Sequence, residues 1–141
     1  MSSLSAITQA LIDLLAGDKD LGLTRVYYGD QQGYPSIPSA SVEHEGSTRT
    51  YTQTGLQTTR IIECTIIIYH GKAEDVQTVK KELDQYAQAV EDLLHTDSTM
   101  GGLVINGLVT SMEPGTVLVG RSNFYAHRLT WEGKVKERIG V

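Results

Sequence analysis

The sequence predicts an α+β fold: a mainly antiparallel sheet with two helices packed on one face and a long β-hairpin arm. Three observations carry that reading. Thr59 to His70 is the most β-prone run of the chain, with Ile62, Cys64, Ile66 and Ile68 alternating onto one face and Glu63, Thr65 and Tyr69 on the other. After Gly71 comes an amphipathic helix of about Ala73 to His95, whose Val76, Val79, Leu83, Tyr86, Val90, Leu93 and Leu94 advance by steps of three and four. The remaining strand-like runs follow one another across turn residues rather than helices, which favours antiparallel neighbours. A strand with one apolar face, linked closely to a helix with one apolar stripe, packs stripe onto sheet. Residues 59–95 are therefore the expected core unit.

The other elements fall around it. Ser2 or Ser3 can cap a helix of about Leu4 to Ala16, in which Leu4, Ile7, Leu11, Leu14 and Leu15 recur at helical spacing before Gly17. Leu21 and Leu23 fold back onto it. Thr24 to Tyr28 is strand-like. Gly29, Gly33, Pro35 and Pro38 mark a surface connection. Ser39 to Glu45 reads as an edge strand with Ala40 and Val42 its apolar residues, and Glu43 and Glu45 solvated on one face.

Residues 46–58 are rich in Thr and Gly and hold almost nothing able to join a core, so they read as an arm or loop. After the long helix, Gly101-Gly102 stops the chain and Leu103 to Met112 forms a strand. Its Asn106-Gly107 signals a bulge or a split. Glu113 to Thr116 reads as a turn. Val117 to Val119 and Ser122 to Glu132 close the sheet, with Tyr125, Leu129 and Trp131 on one face, and Lys134 to Val141 is a charged tail with weak strand character. The expected organisation is one domain over 1–141, with an arm at about 46–58 and a tail at about 134–141.

Composition narrows the function classes. A chain of 141 residues is long enough for a core without staples. The net charge is −5 and the Lys and Arg residues are scattered, which disfavours tight nucleic-acid binding. No basic leader or long apolar run is visible, so the expectation is a soluble protein made in the cytoplasm with no membrane partner. The single cysteine, Cys64, excludes an internal disulfide and reads as a small buried hydrophobe.

The four histidines, His44, His70, His95 and His127, lie on separate elements without ligand spacing and read as structural. His95, at a helix end, suits the dipole there. HExxH, P-loop, GxGxxG and GxSxG patterns are absent. No catalytic, cofactor-binding or metal-binding residue is assigned, and no cofactor is implied.

Several segments, in this order, resemble the tail terminator, or tail-to-head joining, family of long-tailed bacteriophages, also described as minor tail or tail completion proteins. They are Ala10 to Leu15, Val26-Tyr27-Tyr28-Gly29, the Pro35 to Pro38 entry into Val42-Glu43, and the long arm. The isoleucine strand ending at Tyr69, the helix end Ala89 to Leu94, and Asp97 to Leu103 complete the set. The resemblance implies a structural, non-enzymatic virion subunit of the tail and neck. It implies a hexameric ring that caps the tail tube, ends its polymerisation and joins the tail to the head connector or stopper. DNA would pass through the channel without specific binding. Arg49, Tyr51, Gln53 and Leu56 in the arm are then the candidate contacts to a neighbouring subunit or to the tube protein.

Two alternatives stay open. One is a head-completion or connector-stopper neck protein. The other is a small ligand-binding or enzymatic α+β domain with its site at Tyr27-Tyr28-Gly29 and the arm.

Overall fold

The computed structural model describes residues 4–29, 37–51, 57–71, 76–119 and 122–138. Helix α1 (Leu4–Gly17) and a short 3-10 turn (Lys19–Leu21) precede β1 (Arg25–Tyr28), β2 (Ser39–Tyr51) and β3 (Gln57–His70). Helix α2 (Val76–Thr96) then leads into β4 (Asn106–Val119) and β5 (Ser122–Arg138). This is the element order that the sequence predicts, and the fold is α+β. The strands form one five-stranded sheet in the order β1-β2-β3-β5-β4. Ser2, Ser3, Gly33 and Pro35 lie outside the described residues.

Both helices pack on one face. Ile7, Leu11 and Leu15 of α1 and Leu83, Ala87, Val90 and Leu94 of α2 are buried in one cluster with Ala40, Val42, Ile62, Cys64, Ile66, Ile68, Leu129 and Trp131. The alternation read in β3 therefore faces the helices as expected. Leu21 joins the same cluster, and Leu23 is partly buried against it. On the helix-free face a smaller cluster forms, with Tyr69 and Phe124 buried and Ile67 and Val117 beside them.

Expectations for four segments need correction. β1 pairs with β2 in parallel, Arg25 opposite Ser39 through Tyr28 opposite Val42. The connection from Gly29 to Pro38 is long enough to reverse the chain, so it does not force a hairpin. β2 is thus an interior strand over Ser39 to Val42 rather than an edge. Its register shifts between His44 and Gly46, so Glu45 sits at a bulge instead of continuing the alternation of Glu43.

Third, Glu113 to Thr116 is not a turn. β4 runs through it, with Glu113 opposite Arg128, Pro114 opposite His127 and Thr116 opposite Tyr125. A proline is tolerated there because β4 is an edge strand. The bulge in β4 falls between Val109 and Ser111 rather than at Asn106-Gly107. Fourth, residues 134–138 are not a tail. They extend β5 against β3, from Lys134 opposite Ile61 to Arg138 opposite Gln57.

Candidate assembly surface

The arm is part of the sheet. β2 continues to Tyr51, opposite Thr58, and β5 flanks β3 on the other side, so the hairpin is thickened to three strands over 46–51, 57–62 and 133–138. α2 begins beside Gly71, where a Cβ would meet Val79 at 3.3 Å, and it ends with His95 bonded to Val109. Val109 lies opposite Trp131, and Trp131 opposite Cys64. The three strands below Cys64 therefore run past the C-terminal end of α2. Their helix side is not bare: Thr58 is 2 % exposed and Val135 6 %, and Met100 and Val104, just after α2, are buried in the same core as Val135.

Two of the candidate contact residues fall at the end of this extension. Arg49 is exposed and stands opposite Arg60; Tyr51 stands opposite Thr58 as the last residue of β2. Gln53 and Leu56 lie outside the described residues. Tyr28 pairs at Val42, while Tyr51 lies nine positions further along β2, about 30 Å away at strand rise.

The helix-free face carries charge on both sides of a polar band. Cross-strand neighbours there include Glu43 with Thr65, Glu63 with Glu132, Glu113 with Arg128, and Ile61 with Lys134. Ile61, Asn106, Leu108, Glu132, Gly133 and Lys134 line a shallow groove of about 220 Å³. A second groove, of about 280 Å³, lies between α2 and β4 and is lined by Lys80, Leu83, Asp84, Pro114, Gly115, Thr116 and Tyr125. The Lys80 ammonium sits 5.7 Å from the centre of the Tyr125 ring at its wall.

The histidines hold elements together. His70 Nε2 lies 2.7 Å from Glu82 Oε2 on α2, and its ring meets Tyr86 edge-on with centres 5.4 Å apart. His127 Nε2 lies 3.8 Å from Asp84 Oδ1. His95 accepts a hydrogen bond from the Val109 amide at 3.0 Å. Among the described residues no group of three or more His, Cys, Asp or Glu is placed to hold a metal ion. No helix among them is long and apolar enough to cross a membrane.

Cys64 is fully buried, and desolvation pushes its thiol up to about 11; the Thr8 side chain opposes that rise and Glu45 and Glu63 add to it. Such a thiol is a poor nucleophile.

Sequence reasoning gives 134–138 only weak strand character and misses the strand at 113–116. In the first, Val135 is the one apolar residue among four charged ones, too few to set a period. In the second, a Pro-Gly pair outweighs the flanking strand.

No family model matches this chain, and no curated protein matches it.

Proposed function

We propose that this chain is a structural subunit of the phage tail terminator type. It would form a ring that caps the tail tube, ends its polymerisation and joins the tail to the head connector. The observation that carries the proposal is the three-stranded extension past the end of α2. A stiff, sheet-borne projection with Arg49 and Tyr51 at its end suits contact with a neighbouring subunit or with the tube.

Two further features support it. A ring closes through two different surfaces on each subunit, and the open sheet ends in two unlike strands, β1 on one side and β4 on the other. The helix-free wall carries Glu43, Glu63, Glu113 and Glu132 beside Arg128, Lys134 and Lys136. These charges nearly balance, so the wall holds no basic patch to grip phosphates, which suits a channel that DNA must traverse without sticking.

The test is negative-stain microscopy of the purified protein, alone and with tail tubes, beside tails grown without it. Rings, and over-long or uneven tails in its absence, are expected. Tails of normal uniform length without it would overturn the proposal. Cross-linking to a portal-side protein instead of tube protein would move the subunit to the neck.

A further inference from the structure

We infer that copies of this chain join arm to groove: Lys136, on the sheet extension of one copy, enters an acidic groove beside α2 of the next. The inference rests on the ring-forming role proposed above and names the self-contact that role requires.

Strand pairing gathers cations that the sequence scatters. Arg49, Arg60, Lys134, Lys136 and Arg138 stand on the three strands over 46–51, 57–62 and 133–138, against one acidic position, Glu137. In a chain of net charge −5 this makes the extension the cationic end of the subunit. Lys134 and Lys136 are exposed and flank Val135, which turns into the core. Both therefore rise from the helix-free face, roughly 7 Å apart at strand rise. Arg49 and Arg60, opposite each other, lie on the helix side. Split between two faces, these cations do not make the crowded single face that duplex DNA requires.

The helical layer has the opposite sign. Residues 4–22 and 76–104 carry eight carboxylates against three lysines, so an approaching cation is drawn to this side. Asp20, Leu21, Glu82, Gln85, Tyr86 and Ala89 line a groove of about 260 Å³ there, between the 3-10 turn and α2. No lysine or arginine lines it. His70 Nε2 lies 2.7 Å from Glu82 Oε2, which fixes that carboxylate at the wall and leaves it lone pairs for a second donor. The Tyr86 ring is set between His70, which meets it edge-on, and Gly22, where a Cβ would stand 3.7 Å from Tyr86 Cε1. An ammonium entering the groove meets two carboxylates and a fixed aromatic ring, which together stabilise a partly desolvated cation.

Distance forbids this contact within one subunit. Lys136 pairs with Thr59, and Glu82 is bonded to His70, eleven positions further along β3, roughly 36 Å at strand rise. The cationic end and the acidic groove thus meet only between copies. Such a contact uses two unlike surfaces and closes into a ring where the rotation allows. Ile105 and Leu108, both exposed beside Lys134, add apolar area at the same seam. Exposed ion pairs contribute little each, so the charges set register and approach.

The test uses Lys136→Glu and Asp20→Lys, singly, combined in one chain, and mixed one to one. Both residues are exposed, so every variant is expected to keep the wild-type thermal midpoint within a few degrees. Each single variant is expected to lower the ring population about tenfold or more by light scattering and negative stain. The combined variant and the mixture are expected to restore rings, because each residue 136 then meets a residue 20 of opposite charge. In wild-type rings, carbodiimide is expected to join Lys136 to Asp20 or Glu82 between isotope-labelled and unlabelled copies. Single variants that assemble as wild type would overturn the contact and leave the ring standing. So would folded single variants whose combination and mixture both fail to assemble, or rings without that cross-link. Should Asp20→Lys unfold, Lys136→Glu and the cross-link decide alone. Wild type that holds duplex DNA at about 0.15 M salt, and loses it in Lys136→Glu with rings unchanged, would give the extension to nucleic acid instead. A wild type that never self-associates, even on tubes, would overturn both this contact and the ring.

Discussion

The indole of Trp131 lies so tightly over Gly107 that a Cβ on that glycine would fall 2.4 Å from Cζ2. Gly133, directly opposite Gly107 in the ladder, stands equally close, its Cβ position 2.4 Å from Cη2. The ring is fully buried, so it cannot swing out into solvent to make room. Gly107→Ala and Gly133→Ala are each expected to lower unfolding stability by about 1–3 kcal/mol through overpacking. Urea titration followed by the fluorescence of Trp131, the one tryptophan of the chain, reads this directly. An unchanged midpoint in both variants would contradict the packing.

Gly107 also shows where the sequence is legible and where it is not. Asn106-Gly107 looks like turn chemistry because turns need the same missing side chain that a flat indole needs. The distinction lies in Trp131, more than twenty residues away, and local pattern cannot supply it. The core was legible because burial imposes period: Ile62, Cys64, Ile66 and Ile68, and the stripe of α2, face each other as their spacing requires. Edge strands were not, since half-solvated strands carry charge and proline freely. Residues 113–116 and 134–138 therefore read locally as turn and tail, although both pair as strands. At the candidate surface the location of the arm was readable from its composition. Its thickening by β5 was not, because that depends on a pairing between distant segments.

Cys64 gives a prediction about reactivity and pH. Its thiol is raised from 9.0 to about 11, chiefly by burial, so the folded protein keeps it protonated where the unfolded chain releases the proton. Between pH 9 and 11 the folded state then binds more protons than the unfolded one, so this group's contribution to stability falls as pH rises through that window. Below pH 9 it adds no slope. A disulfide reagent at pH 8 is expected to leave Cys64 unmodified in native protein and to label it fully in urea. Rapid stoichiometric labelling of the native state would refute the burial.

The bond from the Val109 amide to His95 Nε2 ties the end of α2 to the bulge of β4. His95→Ala leaves that partly buried amide without its acceptor. A stability loss of about 1 kcal/mol is expected, together with faster hydrogen exchange at Val109 and little change at Leu129 in the centre of the sheet. Exchange followed by two-dimensional NMR separates the two sites. Equal acceleration at both would mean that His95 supports the whole fold rather than this junction.

Val135 decides between a tail and a strand. A charged tail would tolerate truncation or substitution with no measurable effect. Here Val135 is 6 % exposed, packs in the main core and pairs with Arg60 in the ladder. Val135→Ala is expected to cost about 2 kcal/mol, the transfer term for its lost methyl groups plus a partly relaxed cavity. Val135→Asp, which buries an unpaired carboxylate, is expected to cost more. Lys136→Ala, one position on and exposed, is expected to change stability by less than about 0.5 kcal/mol. Denaturant midpoints for the three variants give the ordering, and near-wild-type values for both Val135 variants would return residues 134–138 to a tail.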